Sequence, residues 1–423
     1  MTAIVGTINR RGVAFAADSA ATHTATSKHK ITNHANKIFE LSKEHPVGIS
    51  ICGNLDFLGL PWEEIFKLFR KQIGIKPFDT LVEYSSEFWN FIREAIMPIL
   101  EETQKNQLEH VFRCFLDEIL GLAKNVLNES GVDINSITMF DAITNQLDHF
   151  DSLYSTYVKS PEFSTYTFED FFSYSEDIIE RVFSDILSQP ECPSDFIHKI
   201  SHTIFTIITS NIHVYLSNTE LIFWGYGDKE LFPSYYSFVI SSAFDNKIKW
   251  TPKSEYQVSN INVACIEPFA QTDVANTVVR GIDDDLRQRF YEGYGKSIDV
   301  FKNEIISKLE EVNAPTELID VLAKIDTQKY LESYIQGMND YIDKNYIQKL
   351  VNTISYLSKE DLADMAESLV RMTYLKRRIT SEEESVGGPV DVAVITKGDG
   401  FVWIKRKHYF PAEINHRYFT RNS

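Results

Sequence analysis

The stretch that decides the fold is residues 2–18, which read TAIVGTINRRGVAFAAD. Residues 3–8 and 13–17 are apolar and β-prone, and the polar run 9–12 between them ends in Gly12. Two such runs joined by a short polar turn are typical of a β-hairpin. The sequence therefore predicts that the chain opens with a hairpin, which anchors Thr2 at the start of a strand within a sheet.

Alternating strand and helix patterns continue along the chain. Residues 37–41 and 47–51 predict a second strand pair, which ends at Cys52-Gly53-Asn54. Apolar residues then recur at the spacing of a helix. They are Leu55, Leu58, Ile65, Phe66 and Phe69. More strands are predicted at 219–227, 235–241, 263–266, 390–395 and 401–404.

Strand patterns at both ends of the chain predict a single domain, because terminal strands must pair within one sheet. The chain contains neither an internal repeat nor a Gly/Ser-rich linker. We therefore predict one α+β domain over residues 1–423. The helical patterns at about 78–202 and 286–352 are predicted to be insertions into it.

The net charge, the cysteines and the distribution of apolar residues argue against several classes of function. The 423 residues carry a net charge of −18, which argues against nucleic acid as a partner because phosphate binding needs a basic surface. The four cysteines are scattered and contain no CxxC pair, so neither a disulfide framework nor a zinc knuckle is predicted. The sequence shows neither a signal peptide nor an apolar run long enough to cross a bilayer, and we expect a cytoplasmic protein.

Thr2 is the candidate catalytic residue. Removal of Met1 would leave a threonine with a free α-amine directly before a predicted strand. A hydroxyl is a weak nucleophile until a base takes its proton, and a terminal amine with a pKa of about 7.7–8.0 can do so near neutral pH. One residue would then supply both nucleophile and base.

Three further positions follow Thr2 in a recognisable order. Asp18 closes the second strand, Lys37 opens the third, and Gly53 ends the fourth. This order resembles the proteasome β-subunit family, including its bacterial threonine peptidases that assemble as rings. The resemblance implies an N-terminal-nucleophile (Ntn) hydrolase fold, a four-layer αββα sandwich that would here carry large helical insertions.

The resemblance also implies a role for each of these residues. Thr2 would be nucleophile and, through its amine, general base. Asp18 would pair with Lys37, which would lower the proton affinity of the Thr2 centre. The backbone N–H near Gly53 would stabilise the oxyanion, with the N–H of Cys52 as the alternative.

A second match lies near the C-terminus, at residues 385–392. This segment, Ser385 to Val392, resembles the family's Asp-x-x-Ser-Gly-Gly segment, in which an acid and a serine support the threonine amine. Here Glu382, Glu383 or Glu384 stands in place of the aspartate, and we assign Ser385 and Glu382 to these roles. A third supporting serine is missing from 268–273, where Thr272 or Asp273 could substitute.

The sequence therefore predicts hydrolysis of an amide bond through an acyl-enzyme on Thr2, with a peptide or protein as substrate. The resemblance implies a homo-oligomer, and an unfoldase or accessory partner is not identified. The alternatives are a small-molecule amidase of the same fold and a non-catalytic scaffold or binding protein. His23, His29 and His34 could bind a metal at their spacing, but loop histidines are more often solvated, so neither metal nor cofactor is predicted.

Overall fold

The structure of the protein is a computed structural model. It describes residues 2–25, 28–131, 133, 136–187, 194–380, 386–408, 410–411 and 414–417. Helices and antiparallel sheets both occur, so the predicted α+β class is confirmed. The strands are β1 (Ala3–Asn9), β2 (Gly12–Ala17), β3 (Ala21–Ala25), β4 (Lys28–Thr32), β5 (Ile38–Glu40), β6 (Val47–Gly53), β7 (Asp56–Phe57), β8 (Leu60–Pro61), β9 (Thr219–Gly225), β10 (Ser234–Phe244), β11 (Lys247–Gln257), β12 (Ala264–Ala270), β13 (Asp391–Thr396) and β14 (Gly400–Lys405).

The helices fall into two groups along the chain. The first group is α1 (Trp62–Ile73), α2 (Leu81–Phe91), α3 (Glu101–Ser130), α4 (Ser136–Tyr154), α5 (Phe168–Leu187) and α6 (Ser194–Thr209). The second group is α7 (Asp273–Arg280), α8 (Asp284–Glu311), α9 (Thr316–Ala323), α10 (Thr327–Ile342), α11 (Gln348–Ile354) and α12 (Lys359–Ile379). Helices α2 to α6 lie largely within the predicted helical stretch 78–202, and α8 to α11 largely within the predicted stretch 286–352.

The chain forms two compact units, and each is described by itself. Unit 1 comprises residues 1–35, 258–394 and 402–423, and unit 2 comprises residues 36–257 and 395–401. A division into compact units does not by itself decide the number of domains. The prediction of one domain with insertions at 78–202 and 286–352 therefore stays a prediction.

Unit 1 contains the sheet built around the opening hairpin, with strand order β12-β1-β2-β13-β14. β1 pairs antiparallel with β2 on one side and with β12 on the other. Every residue of β1 and β2 is buried, and α12 packs on both strands. Thr7 Oγ1 donates to the Leu362 carbonyl at 2.9 Å, which satisfies a buried hydroxyl within this core.

Unit 2 contains the second sheet, with strand order β11-β10-β9-β6-β5. A hydrophobic core joins its strands to α1 and α2, and the Trp62 indole donates to Thr219 Oγ1 at 3.0 Å. A separate aromatic-rich core holds α3 to α6 together. The helices between 78 and 202 thus have a core of their own as well as a sheet beside them.

The structure differs from the sequence prediction at three places. Residues 56–61 form the short β7–β8 hairpin, so α1 begins at Trp62 and not near Leu55. The predicted loop between Asp18 and Lys37 contains the β3–β4 hairpin. β11 was not predicted because it carries Pro252, which lies at a break in register with β10 where the strand tolerates a missing N–H.

Candidate active site

Thr2 is buried at the entry to β1, with 5% of its surface exposed. Its carbonyl accepts the backbone N–H of Gln271 at 3.2 Å, and the N–H of the next residue, Ala3, donates to Asp18 Oδ1 at 2.9 Å. The described residues offer Thr2 Oγ1 no hydrogen-bond partner. The peptide group that joins Thr2 to Ala3 is therefore bound at both its carbonyl and its N–H, while the Thr2 hydroxyl is not committed to the scaffold.

Asp18 lies directly after β2, with 1% of its surface exposed. Its Oδ2 accepts the N–H of Ala20 and of Gly387, each at 3.1 Å, in addition to the Ala3 bond on Oδ1. Backbone N–H donors are the partners that stabilise a buried carboxylate. Asp18 thus joins the start of β1, the end of β2 and the segment before β13.

The Gly387-Gly388 pair lies next to Asp18, as part of the same network. Ser19 donates its N–H to the Gly387 carbonyl at 3.0 Å and its hydroxyl to the Pro389 carbonyl at 2.6 Å. Gly388 has a φ of +76°, and a Cβ there would lie 2.9 Å from the Asn33 carbonyl oxygen. The glycines in this segment therefore permit a close backbone approach. Ser385, Glu382, Glu383 and Glu384 lie outside the described residues.

A polar cluster at the end of β12 holds the residues that contact Thr2 from the other side. Arg377 Nε donates to the Gln271 side-chain oxygen, and Arg377 Nη2 donates to Asp273 Oδ1 at 2.9 Å. Lys376 Nζ donates to Asp273 Oδ2 at 2.8 Å. Burial by itself would raise the pKa of Asp273, but the Lys376 hydrogen bond and the Arg377 charge lower it below its ordinary value.

Ala270, directly before this cluster, has a left-handed backbone. Its φ is +64°, and it pairs in register with Ala3. A non-glycine residue in this region is strained and persists where its surroundings fix it. Sequence reasoning named Asp273 and Thr272 as substitutes for a serine but missed Gln271 and Arg377. The two residues are 106 positions apart, so no local sequence pattern indicates that they pair.

Lys37 and Gly53 belong to unit 2. Lys37 is 1% exposed and its carbonyl accepts the Ile51 N–H at 2.9 Å. Gly53 ends β6 with a φ of +97°. Cys52, the alternative oxyanion donor, has a thiol whose pKa is raised by burial and by Glu220. The predicted roles of Lys37, Gly53 and Cys52 toward Thr2 stay predictions.

The described residues show neither a metal-binding cluster nor a membrane-spanning helix. These contain no group of three or more His, Cys, Asp or Glu side chains placed to hold a metal ion. The side chains of His23 and His29 are not among those described. None of the helices in the described part of the chain has the length and apolar character needed to span a membrane.

Comparisons with known proteins give distant matches. No family model matches the chain, and no curated protein matches it. Among solved structures, a Gly-1 mutant of Anbu from Hyphomicrobium sp. strain MC1 is 11% identical with a TM-score of 0.28, covering 100% of this chain and 93% of that chain. Anbu (ancestral beta-subunit) from Yersinia bercovieri is 11% identical with a TM-score of 0.26, covering 99% and 90%.

The sequence-based assignment to the proteasome β-subunit family is overturned by these comparisons. Neither a family model nor a curated protein supports it, and TM-scores of 0.26–0.28 carry no argument about fold or function. The physical reason lies in the motif itself. A hairpin followed by an acid, a lysine and a turn glycine satisfies general needs of strand ends and tight turns, so their order does not identify a family.

Proposed function

We propose that this chain hydrolyses amide bonds, with a peptide or protein as substrate, by using Thr2 as nucleophile after removal of Met1. The observation that carries the proposal is that the peptide group after Thr2 is held at both ends, its carbonyl by the Gln271 N–H and its N–H, that of Ala3, by the Asp18 carboxylate. Both contacts use the backbone around Thr2, so they orient the residue without occupying its hydroxyl. Such orientation is what an effective nucleophile requires.

The reaction uses two groups of Thr2, its α-amine and its Oγ1 hydroxyl. The α-amine accepts the proton of Oγ1, and Oγ1 attacks the carbonyl carbon of the substrate amide to form a C–O bond and an oxyanion. The amine then returns the proton to the substrate nitrogen as the C–N bond breaks, which leaves an ester on Thr2. Water attacks this ester, the acid product departs, and Oγ1 recovers a proton.

The remaining sequence-based roles belong to the same proposal. Lys37 is proposed to lower the proton affinity of the Thr2 amine, and the N–H of Gly53 or Cys52 to bind the oxyanion. Ser385 and Glu382 are proposed to support the amine. The finer fold prediction, an αββα sandwich of four layers, is likewise part of the proposal.

The test is the intact mass of the purified full-length protein with and without a threonine-directed epoxyketone. We expect a mass that lacks Met1 and that increases by one adduct. Thr2→Ala should remain unlabelled, and Thr2→Ser should keep labelling because serine offers the same amine and a hydroxyl. Thr316→Ala, which removes an exposed hydroxyl at the start of α9, is the matched control and should label like the wild type. Retention of Met1 in the working form would sink the proposal.

A second candidate function is a scaffold or binding protein without catalysis. It is favoured by the commitment of Asp273 to ion pairs with Lys376 and Arg377 at the place where a supporting serine is missing. A scaffold would tolerate both retained Met1 and Thr2→Ala without change in its binding. A small-molecule amidase would instead label at Thr2 but fail to cleave unfolded protein or peptide substrates.

A further inference from the structure

The helices α8, α9 and α10 of unit 1 form an arm over residues 284–342, which the structure describes throughout. Tyr291 is the buried residue of α8, Ile342 is that of α10, and α9 has none. By contrast α3, a helix of similar length, buries nine. Between 286 and 346, twelve large apolar side chains are more than a third exposed. Helices of this length gain most of their stability from burying an apolar face, so the arm as it stands is under-packed.

One face of α8 accounts for the internal packing of the arm. Tyr291 Oη donates to Asn339 Oδ1 at 3.0 Å, and Tyr294 stacks on Tyr334 with ring centroids 4.1 Å apart. Gly295 lies against Leu331, where a Cβ would come within 3.3 Å of its side chain. This face therefore explains why a glycine stands at 295.

A second face of α8 has an apolar stripe that the arm does not cover. Residues 286, 290, 293, 297 and 301 are spaced by three or four positions and so share one side of the helix. Leu286, Phe290 and Phe301 are 48%, 50% and 66% exposed. The hydroxyl of Ser297 donates to the Gly293 carbonyl at 2.8 Å, so no polar group on the stripe depends on water.

Gly293 lies in the middle of this stripe. A Cβ built there meets nothing within 4 Å, so no contact inside the protein requires a glycine. A glycine within a helix costs about 1 kcal/mol relative to alanine. A close approach by a second helix would explain the residue, as Leu331 explains Gly295.

The charges along α8 indicate which helix approaches. Residues 286–296 contain three basic residues and one acidic residue, whereas residues 297–311 contain four acidic and two basic residues. At the start of the helix Asp283 is the cap and Asp284 binds Arg280 and Arg287, which leaves Asp285 opposite the remaining basic residues Arg289 and Lys296. Two copies of α8 that run antiparallel would therefore place the basic half of each against the acidic half of the other.

We propose that the stripe on α8 is a self-association surface, at which two copies of this chain pair their α8 helices antiparallel. With the two-fold axis near Ser297, Phe301 of each copy lies over Gly293 of the other. Arg289 of each copy then lies beside Glu304 of the other. Neither Arg289 nor Glu304 has an ion pair within the described residues, so both are available for this contact.

The length of α8 and its exposed apolar side chains set the size of such a contact. α8 has 28 residues and is therefore about 42 Å long. The three apolar side chains of the stripe, two of them aromatic with about 150–250 Å² of surface each, supply the apolar centre of the contact, and the charged residues beside them supply its edges. A stable interface needs about 800 Å² from each partner, so a contact through this stripe is expected to be weak and reversible.

The test is sedimentation velocity of the full-length protein over about a hundredfold range of concentration. We expect a reversible association that the double variant Phe290→Ser/Phe301→Ser weakens at least about tenfold. Gly293→Leu should weaken it similarly by filling the space that Phe301 needs. Tyr356→Ser is the matched control, because it removes an aromatic side chain that is 80% exposed outside the arm, and it should leave association unchanged.

Charge reversal tests the antiparallel register. Arg289→Glu and Glu304→Arg should each weaken association, and the two together should restore it, since the pair is rebuilt across the axis. Far-ultraviolet circular dichroism of each variant should match the wild type because all five changed positions, 289, 290, 293, 301 and 304, are exposed. A wild-type protein that stays monomeric, association that ignores the stripe variants, or a failed rescue would each overturn the proposal.

Discussion

The carboxylate of Asp18 accepts the backbone N–H of Ala3 at 2.9 Å, which fixes a buried acid one peptide bond from Thr2. The same carboxylate holds Ala20 and Gly387 through their N–H groups. Three segments that are far apart in sequence thus depend on one acceptor. Asp18 is therefore important to the fold of unit 1 whether or not Thr2 is catalytic.

We predict that replacing Asp18 by asparagine impairs both the fold of unit 1 and the reactivity of Thr2. The amide offers a donor where Oδ2 now accepts two N–H groups, so buried donors lose their partner. We expect Asp18→Asn to lower the free energy of unfolding by about 2–4 kcal/mol and to abolish epoxyketone labelling of Thr2. Urea unfolding and intact mass measure the two effects. Asp299→Asn, on the exposed surface of α8, should change neither, and an unaltered midpoint in Asp18→Asn would contradict the network described.

Arg377 should act on the Thr2 site through Gln271. Arg377→Met removes the contacts to both Gln271 and Asp273, and we expect slower labelling of Thr2 with the fold retained. Lys376→Met breaks a contact to Asp273 alone and should slow labelling less. Arg378→Lys is the matched control, because Arg378 lies on the same helix and contacts Tyr374 at the surface.

The acid dependence of stability gives Arg377 a second readout. The pKa of Asp273 is lowered in the folded protein, so its contribution to stability is present above the unfolded pKa of about 3.9 and is lost as pH falls through the folded value. Arg377→Met removes one of the charges that lower this pKa. Its acid unfolding should therefore depend less steeply on pH below about 4. Equal acid dependence in the two proteins would show that Arg377 does not influence Asp273.

Gly53 should be required by the backbone of unit 2. Its φ is +97°, and a Cβ would lie 2.4 Å from the Asn218 carbonyl oxygen. Gly59 has a φ of +81° with nothing within 4 Å, so Gly59→Ala carries backbone strain without a clash. We expect Gly53→Ala to be less stable than Gly59→Ala by about 1–3 kcal/mol in urea unfolding. Equal effects would mean that the strand end adjusts to the methyl group.

Local patterns predicted the parts of the fold that local physics decides. The β1–β2 hairpin follows from two apolar runs around Gly12, and the helices of both groups follow from their periodicity. Strand β11 was not predicted, because Pro252 and the lysines of this strand are typical of an exposed edge strand with a bulge. Arg377 escaped because its partners are more than a hundred residues away. Asp18 could be named from the sequence alone. Its contact with Gly387 could not, because the two residues lie near opposite ends of the chain and no local pattern links them.

Lys249 offers a prediction in which pH has a definite sign. Its Nζ donates to the carbonyls of Ile207, Ile208 and Ser210 at 2.7–3.0 Å, at the C-terminal end of α6. The last carbonyls of a helix lack an intrahelical N–H partner, so Lys249 caps α6, together with the Ser210 hydroxyl, which also donates to the Ile207 carbonyl at 3.0 Å. Burial lowers the pKa of Lys249 to about 7, against about 10.4 for an unfolded lysine.

Between these two pKa values the unfolded chain binds more protons than the folded one. Lys249 should therefore contribute a rise in the free energy of unfolding between about pH 7 and about pH 10.4, by at most about 1.4 kcal/mol per pH unit. Lys249→Met should lose this slope, because methionine does not titrate. The pKa of the neighbouring His213 is lowered by burial to about 4, well below the window. Lys124→Met, on the exposed surface of α3, should keep the wild-type slope in urea unfolding measured at several pH values. Parallel curves for wild type and Lys249→Met would mean that Lys249 stays charged when buried, held by the three carbonyls at the end of α6.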